Sequence, residues 1–269
     1  MTTFSVKTYN NINKIGLREL GNAFQIDGDH KENPDAYIIR SENLHGTEFP
    51  ENLKAIARAG AGTNNIPIDE ATDKGIVVFN TPGANANAVK EAVIASTLLS
   101  ARDYIAANEW VNTLTSDDVP KQVETGKKQF AGSEITGKNF GVIGLGAIGA
   151  RIANEAYRLG MHVYGYDPYV SIETAWNISS HVRRVNDIKD IFRNCDYITI
   201  HVPLTEETKA TFNREAFDVM GKDVTIINFA RGELVDNEAL FDAIETGVVK
   251  RYITDFGTED LLNQEKITV

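Results

Sequence analysis

The chain has 269 residues, of which 42% are hydrophobic and 24% charged, an ordinary globular mixture that is long enough for two domains. Its net charge of −11 argues against a nucleic acid as partner, since that partner would demand a basic face. The N-terminus has no apolar signal core, no run approaches the ~18 apolar residues of a spanning helix, and the single cysteine, Cys195, permits no intrachain disulfide. We therefore expect a cytoplasmic protein with no membrane partner.

The first part of the chain alternates between short apolar runs and helical patterns, which predicts a small open parallel sheet. The predicted strands are 4–8, 24–26, 36–40, 55–58 and 76–80, and the predicted helices are 14–20 and 66–74. An Asn-Thr-Pro-Gly segment then breaks the pattern, and a long helix rich in small and aliphatic residues is predicted for 85–108. We therefore expect one domain over residues 1–84 and a second over 85–269.

A glycine-rich turn follows the predicted strand 140–143 and begins the next helix. Gly144, Gly146 and Gly149 fit the Gly-x-Gly-x-x-Gly pattern of a dinucleotide-binding turn. The first glycine permits the tight turn, the second lets the backbone approach a pyrophosphate, and the third lets the helix pack closely on the strand. The N–H groups at the start of that helix suit a diphosphate.

An acidic residue indicates which dinucleotide binds. Asp167 ends the next predicted strand, roughly 20 residues after the glycine turn, where a carboxylate accepts hydrogen bonds from the ribose hydroxyls of NAD. The same carboxylate would repel the extra phosphate of NADP. We predict NAD as the cofactor and expect no metal site.

The alternation of strands and helices continues to the end of the chain and predicts a doubly wound domain. Further strands are predicted at 197–202, 224–229 and 252–255, and a helix at 238–245. Ligands of open α/β sheets lie outside the carboxyl ends of the strands, so polar residues there are candidate site residues. Three such ends stand out, at residues 201–204, 228–232 and 255–259.

Together with the glycine turn, these segments resemble the D-isomer-specific 2-hydroxyacid dehydrogenase family. Segments 130–138, 201–208 and 227–236 look like its lead-in to the nucleotide strand, its adenine-side loop and its catalytic-arginine segment. Segments 39–41, 57–65 and 80–85 look most like its D-3-phosphoglycerate dehydrogenase branch. The resemblance covers nearly the whole chain. It implies a Rossmann-type NAD-binding domain with a doubly wound parallel sheet, and a smaller flavodoxin-like α/β substrate domain formed by residues 1–84.

The resemblance also implies roles for individual residues. Arg231 would bind the substrate carboxylate and carbonyl, and Glu259 would pair with a catalytic histidine and raise its pKa. Asp260 stays open as the alternative acid, because the family usually has one more residue after Asp255. The implied NAD contacts are Gly144, Gly146, Ala147, Ile148, Gly149, Asp167, Val202, Pro203, Thr208, Phe229, Ala230, Arg231 and Asp255. The implied substrate contacts are Arg40, Ser41 and Arg58 for a phosphate, the amides of Ala59, Gly60 and Ala61 for a carboxylate, and Asn85.

The general acid/base histidine of the family is not found in the sequence. It lies in a Pro-His-x-Gly stretch shortly after the glutamate, whereas this sequence ends at Val269. The histidines present are His30, His45, His162, His181 and His201. His201 is a tempting substitute, but it ends a strand on the implied adenine side. We therefore expect a chain that lacks the family's C-terminal end and is inactive by itself.

The resemblance implies NAD-dependent oxidation of a D-2-hydroxy acid by hydride transfer. The expected substrate is 3-phospho-D-glycerate, oxidised to 3-phosphohydroxypyruvate as in L-serine biosynthesis. Two alternatives stay open: a dehydrogenase of an unphosphorylated 2-hydroxy acid, and a non-catalytic NAD-binding regulator. Retention of Arg231, Asp255 and Glu259 favours the enzyme. The apolar surface of the predicted helix 85–108 favours a homodimer or a higher homo-oligomer.

Overall fold

The structure, a computed structural model, describes residues 4–28, 32–115 and 118–269. The chain divides into two compact units, Met1–Asn85 and Ala86–Val269. Each unit contains one sheet, and every strand pairing in both sheets is parallel. The predicted α/β fold class is confirmed.

The first unit is a five-stranded sheet in the order β2-β1-β3-β4-β5. Its elements are β1 (Phe4–Thr8), α1 (Lys14–Arg18), β2 (Phe24–Ile26), β3 (Ala36–Ile39), β4 (Ala55–Arg58), α2 (Ile68–Asp73) and β5 (Val77–Phe79). This strand order is the flavodoxin-like one that the resemblance implied. Its core includes Ile39 and Ile56 from neighbouring strands, with Ala71 from α2 packed in the same cluster.

The second unit is a seven-stranded sheet in the order β12-β11-β10-β9-β6-β7-β8. Its strands are β6 (Asn139–Ile143), β7 (His162–Tyr166), β8 (Arg183–Arg184), β9 (Tyr197–Ile200), β10 (Val224–Asn228), β11 (Val249–Thr254) and β12 (Ile267–Thr268). From β6 the chain winds outward to β8 and then returns to β9 on the other side of β6. The switch point between β6 and β9 is where doubly wound sheets bind dinucleotides.

The helices of this unit cover the sheet. They are α3 (Ala86–Ala101), α4 (Tyr104–Val111), α5 (Val119–Gly126), α6 (Gly149–Arg158), α7 (Ile172–Trp176), α8 (Ile188–Asn194), α9 (Arg214–Asp218) and α10 (Asn237–Glu245). Every residue of β9 and β10 is buried, as expected for parallel strands covered on both faces. Helix α6 buries Ile152, Ala153 and Ala156 against this core. No described helix has the length and apolarity to cross a membrane.

The long helix predicted for 85–108 is wrong in one respect, because the structure has two helices there. Helix α3 ends at Ala101 and α4 begins at Tyr104. Between them, one carboxylate oxygen of Asp103 accepts a hydrogen bond from the Ala106 amide at 3.3 Å, and the other lies 3.2 Å from the guanidinium of Arg251. A capping carboxylate starts a new helix in preference to continuing the old one.

Candidate active site

The glycine turn begins where β6 ends. Gly144 has a φ of +87°, and its amide donates to the Tyr166 carbonyl at 2.8 Å. A Cβ at this position would lie 2.6 Å from the His201 carbonyl oxygen and 2.9 Å from the Val202 side chain. Both the positive φ and the close approach of the loop after β9 therefore require glycine.

The other two glycines differ in what surrounds them. A Cβ on Gly149 would overlap the Gly144 carbonyl oxygen, so the turn's own packing requires a glycine there. A Cβ on Gly146 would have no protein atom within 4 Å. The open space at Gly146 lies beside the N-terminus of α6, where a pyrophosphate fits. The turn therefore has the form that a dinucleotide needs.

Asp167 lies directly after β7 and is tied to the glycine turn. One carboxylate oxygen accepts from the Leu145 amide at 2.8 Å, and the other accepts from the Tyr169 amide at 2.8 Å. Each oxygen keeps a second lone pair, so both can still accept from a ribose diol. The sequence indicated the ribose role, whereas the support given to the turn is visible only in the structure.

We expect Asp167→Asn to lower the preference for NAD over NADP. Asparagine keeps one acceptor oxygen but removes the negative charge that binds the ribose diol and repels the extra phosphate. Hydrogen bonds to charged groups contribute about 1.5–3 kcal/mol, so NAD affinity should fall about 10- to 150-fold. Calorimetric titration with both nucleotides measures the ratio. Asp167→Gly should also loosen the turn, and an unchanged ratio in both variants would remove Asp167 from this role.

His201 follows β9 and is held from two sides. Its amide donates to the Ile143 carbonyl at 2.7 Å, and its Nε2 lies 2.8 Å from the Thr199 hydroxyl. Burial lowers the pKa of His201 to about 3. A general base works best with a pKa near the operating pH, so this imidazole is a poor proton acceptor. His30 lies outside the described residues.

The loop after His201 contains the predicted NAD contacts Val202, Pro203 and Thr208. The Thr208 hydroxyl donates to the Pro203 carbonyl at 2.6 Å and accepts from the Thr205 amide at 2.8 Å. These bonds close the loop on itself beside β9. Val202 in turn packs against Gly144, so the structure brings this loop to the glycine turn.

Arg231 is positioned by Asn228, the buried last residue of β10. The Asn228 side-chain oxygen accepts from the amides of Ala230 at 3.1 Å and Arg231 at 3.3 Å, and its Nδ2 donates to the Arg231 carbonyl at 2.7 Å. The Arg231 guanidinium donates to the Ala230 carbonyl at 2.6 Å. The sequence analysis included Asn228 in the strand end 228–232 but gave it no role. Its signal was an amide side chain at the end of a mainly apolar strand, since buried polar groups need partners.

A cleft of about 700 Å³ lies beside this loop at the carboxyl ends of β10 and β11. Its lining includes Gly232, Tyr252, Asp255 and Phe256. The structure therefore brings the loop after Arg231 and the predicted contact Asp255 to one cavity.

The two candidate acids after β11 have different surroundings. Asp260 accepts from the Asn237 side chain at 2.9 Å, and hydrogen bonds from Thr258 and Asn237 lower the pKa of its carboxyl group. Glu259 is exposed. Because the Asp260 carboxylate already accepts a hydrogen bond from Asn237, Glu259 is the better candidate for pairing with a histidine.

In the first unit, Asn10 binds the backbone of residues 40–42, which include the predicted phosphate contacts Arg40 and Ser41. Asn10 follows β1 and has a φ of +65°. Its side-chain oxygen accepts from the amides of Arg40 at 3.2 Å, Ser41 at 2.8 Å and Glu42 at 2.8 Å. Three amides thus converge at the β1/β3 edge, the ligand-binding switch point of this strand order. Sequence reasoning missed Asn10, whose contacts are long-range.

Arg58 and most of the amides predicted to bind a carboxylate, those of Ala59, Gly60 and Ala61, form hydrogen bonds within the unit. The Arg58 guanidinium donates to the carbonyls of Arg40, at 3.1 Å, and of Gly62. The Ala59 amide donates to the Ile39 carbonyl at 2.8 Å and the Gly60 amide to the Arg58 carbonyl at 2.9 Å. Two of these three amides therefore already have hydrogen-bond acceptors within the unit. Arg40 and Asn85 are exposed, and Ala61 accepts a bond from Asn80 at 2.7 Å.

Comparison with known families decides the family of the chain. The NAD-binding domain of the D-isomer specific 2-hydroxyacid dehydrogenases matches residues 94–268. The chain belongs to this family.

Relatives within and near the D-2-hydroxyacid dehydrogenase family support the assignment. The chain is 38% identical to a D-3-phosphoglycerate dehydrogenase of Methanocaldococcus jannaschii over 79% of this chain and 38% of that protein. It is 37% identical to a hydroxypyruvate reductase of Thermotoga maritima over 80% of this chain and 66% of that protein. The chain thus spans about two fifths of the length of the phosphoglycerate dehydrogenases that it matches.

A solved structure agrees with this assignment. The NAD+-bound 3-phosphoglycerate dehydrogenase of Entamoeba histolytica superimposes with a TM-score of 0.74 at 25% identity, covering 99% of this chain and 86% of that one. Both the family's NAD-binding domain and this neighbour confirm the predicted cofactor, NAD. The glycine turn and Asp167 are the residues of this chain whose geometry fits it.

Proposed function

We propose that this dehydrogenase oxidises 3-phospho-D-glycerate to 3-phosphohydroxypyruvate, the reaction expected in L-serine biosynthesis. The observation that carries the proposal is that three predicted site segments lie at the same edge of the second sheet, at the carboxyl ends of its strands. There the glycine turn follows β6, Arg231 follows β10 and Asp255 follows β11. A nucleotide site and a permanently charged substrate-binding group therefore share one side of one sheet.

Arg231 would orient the substrate through its carboxylate and carbonyl. A guanidinium offers a planar pair of donors that matches a carboxylate, and it stays protonated at any relevant pH. NAD, when bound, accepts the hydride from C2 of the substrate. The hydroxyl proton needs a separate acceptor, which in the family is the histidine of the Pro-His-x-Gly stretch. Glu259 would pair with that histidine and raise its pKa.

The phosphate assignment depends mainly on Arg40. It is exposed at the carboxyl end of β3, beside the Ser41 amide that Asn10 holds. Arg58 would contribute by donating a hydrogen bond to the Arg40 carbonyl, in addition to any direct contact with the phosphate. The second candidate, a dehydrogenase of an unphosphorylated 2-hydroxy acid, is favoured by the 37% identity to the Thermotoga maritima hydroxypyruvate reductase.

Substrate binding to the NAD-saturated chain distinguishes these two functions. We expect 3-phosphoglycerate to bind more tightly than D-glycerate, and Arg40→Gln to lower only the first affinity. Loss of one charge-assisted contact is expected to lower the affinity about 10- to 150-fold. Calorimetry measures both ligands without requiring turnover, and Arg18→Gln, an exposed arginine on α1, is the matched control. Equal affinities for the two ligands would contradict the phosphate assignment and leave the dehydrogenase class intact.

We also propose that the chain forms a homodimer through the second unit. Helices α3 and α4 expose four large apolar side chains that are close together in the sequence, Leu98, Leu99, Tyr104 and Ile105. Sedimentation at micromolar concentration should show a dimer that Leu99→Glu with Ile105→Glu dissociates. Ile172→Glu, at an exposed position on α7, should leave the dimer intact. A strict monomer would contradict the proposal.

A further inference from the structure

Tyr252 is a buried tyrosine at the centre of β11. Its side chain is only 1% exposed, so its hydroxyl group needs hydrogen-bond partners inside the protein. Asn228 Nδ2 donates to the Tyr252 hydroxyl at 3.2 Å, and the Thr254 side chain is a second partner. The hydroxyl group therefore joins the end of β10 to the end of β11.

Backbone groups fix which way the Asn228 carboxamide faces, and Tyr252 binds the carboxamide in that orientation. Its Nδ2 group donates to the Tyr252 hydroxyl and to the Arg231 carbonyl, while its oxygen accepts from the amides of Ala230 and Arg231. A flipped carboxamide would place an NH2 group against those two amides. The two backbone amides therefore set the orientation, and the Tyr252 hydroxyl adds a buried hydrogen bond that anchors the carboxamide against the strand β11.

The same hydroxyl group reaches the neighbouring loop. Thr254, its second partner, accepts a hydrogen bond from the Phe256 amide at 3.1 Å. Phe256 and Tyr252 both line the cleft of about 700 Å³ beside the Arg231 loop. One buried hydroxyl group is therefore shared by the two loops that carry Arg231 and Asp255.

We propose that Tyr252 is a positioning residue for Arg231, acting through Asn228. This inference rests on the proposed role of Arg231 in binding the substrate. The hydroxyl holds the Asn228 carboxamide in place, the carboxamide holds the backbone of Ala230 and Arg231, and the guanidinium is thereby presented in a fixed direction. The aromatic ring contributes core packing, and the hydroxyl contributes the positioning.

The test compares Tyr252→Phe with Tyr197→Phe in the whole 269-residue chain. Tyr197 is a matched control, because it is 5% exposed in β9 of the same sheet and its hydroxyl is bound to Ser133. Amide hydrogen exchange at Ala230 and Arg231, followed by NMR, is expected to accelerate about fivefold in Tyr252→Phe, the effect of losing one buried hydrogen bond. Tyr197→Phe should leave both rates unchanged. Equal rates in wild type and Tyr252→Phe would overturn the proposal.

A binding measurement separates positioning from stability. The affinity of the NAD-saturated chain for 3-phosphoglycerate should fall about fivefold or more in Tyr252→Phe, with NAD affinity unchanged. If Arg231→Gln lowers this affinity but Tyr252→Phe does not, the positioning role is wrong and the proposed function stands. If Arg231→Gln has no effect, the proposed substrate role of Arg231 fails, and the role of Tyr252 fails with it.

Discussion

Gly146→Ala is expected to fold normally and to lose most of its affinity for NAD, whereas Gly149→Ala is expected to disrupt the turn itself. A methyl group at Gly146 meets no protein atom within 4 Å, so it would occupy only the space that the pyrophosphate needs. At Gly149 the methyl group would overlap the Gly144 carbonyl oxygen. Overpacking costs about 1–3 kcal/mol, which corresponds to about 5- to 150-fold in affinity at Gly146.

Thermal unfolding and NAD titration of the two variants test this pair. Gly146→Ala should keep the wild-type melting temperature, since the added methyl group is free of clashes in the protein alone. Gly149→Ala should melt at a lower temperature, because a backbone carbonyl cannot move aside as a flexible side chain can. Wild-type NAD affinity in Gly146→Ala would mean that the pyrophosphate does not approach this glycine.

The polypeptide of residues 1–269 is expected to bind NAD but to oxidise 3-phosphoglycerate very slowly. General acid–base catalysis contributes about 10²–10⁴-fold, and neither His201 nor Arg231 is suited to accept the hydroxyl proton. Burial lowers the pKa of His201 to about 3 and its Nε2 is bound to Thr199, while an arginine side chain has donor groups and no acceptor atom. The proposed mechanism therefore needs a proton acceptor other than these two side chains.

Grafting the C-terminal segment of the Methanocaldococcus jannaschii relative onto Val269 provides the comparison. The extended chain should reduce NAD at least about 100-fold faster than residues 1–269. A folded His201→Gln variant of the extended chain should oxidise the substrate at the unchanged rate. Comparable rates for the two chains would show that a residue already present accepts the proton, with His201 as the first candidate.

Local sequence signals were sufficient for the elements that form the predicted cofactor site. The run before Gly144 and the helix after Gly149 were predicted because apolar periodicity and glycine spacing both act over a few residues. The strands of the first unit were predicted for the same reason. Their flavodoxin-like order came from the family resemblance, since short apolar runs do not specify which strands pair.

Several of the features that were missed depend on partners far away in the sequence. The helix break at Asp103 involves Arg251, which is 148 residues away. The three amides bound by Asn10 are about 30 residues from it in the sequence. The contact between Asn228 and Tyr252 joins the neighbouring strands β10 and β11. β8 and β12 have two residues each, too few for any periodicity. Tertiary contacts of this kind leave no local pattern.

The proposed dehydrogenase activity is tested most directly by following hydride transfer with an isotope. The extended chain is incubated with NAD and D-3-phosphoglycerate that carries deuterium at C2, and the nicotinamide product is analysed by mass spectrometry. The account predicts that deuterium moves from C2 to the nicotinamide ring, and that Arg231→Gln slows this transfer while NAD still binds. If the protein binds NAD but transfers no deuterium from this or any other D-2-hydroxy acid, the chain is an NAD-binding regulator and the enzymatic account is wrong.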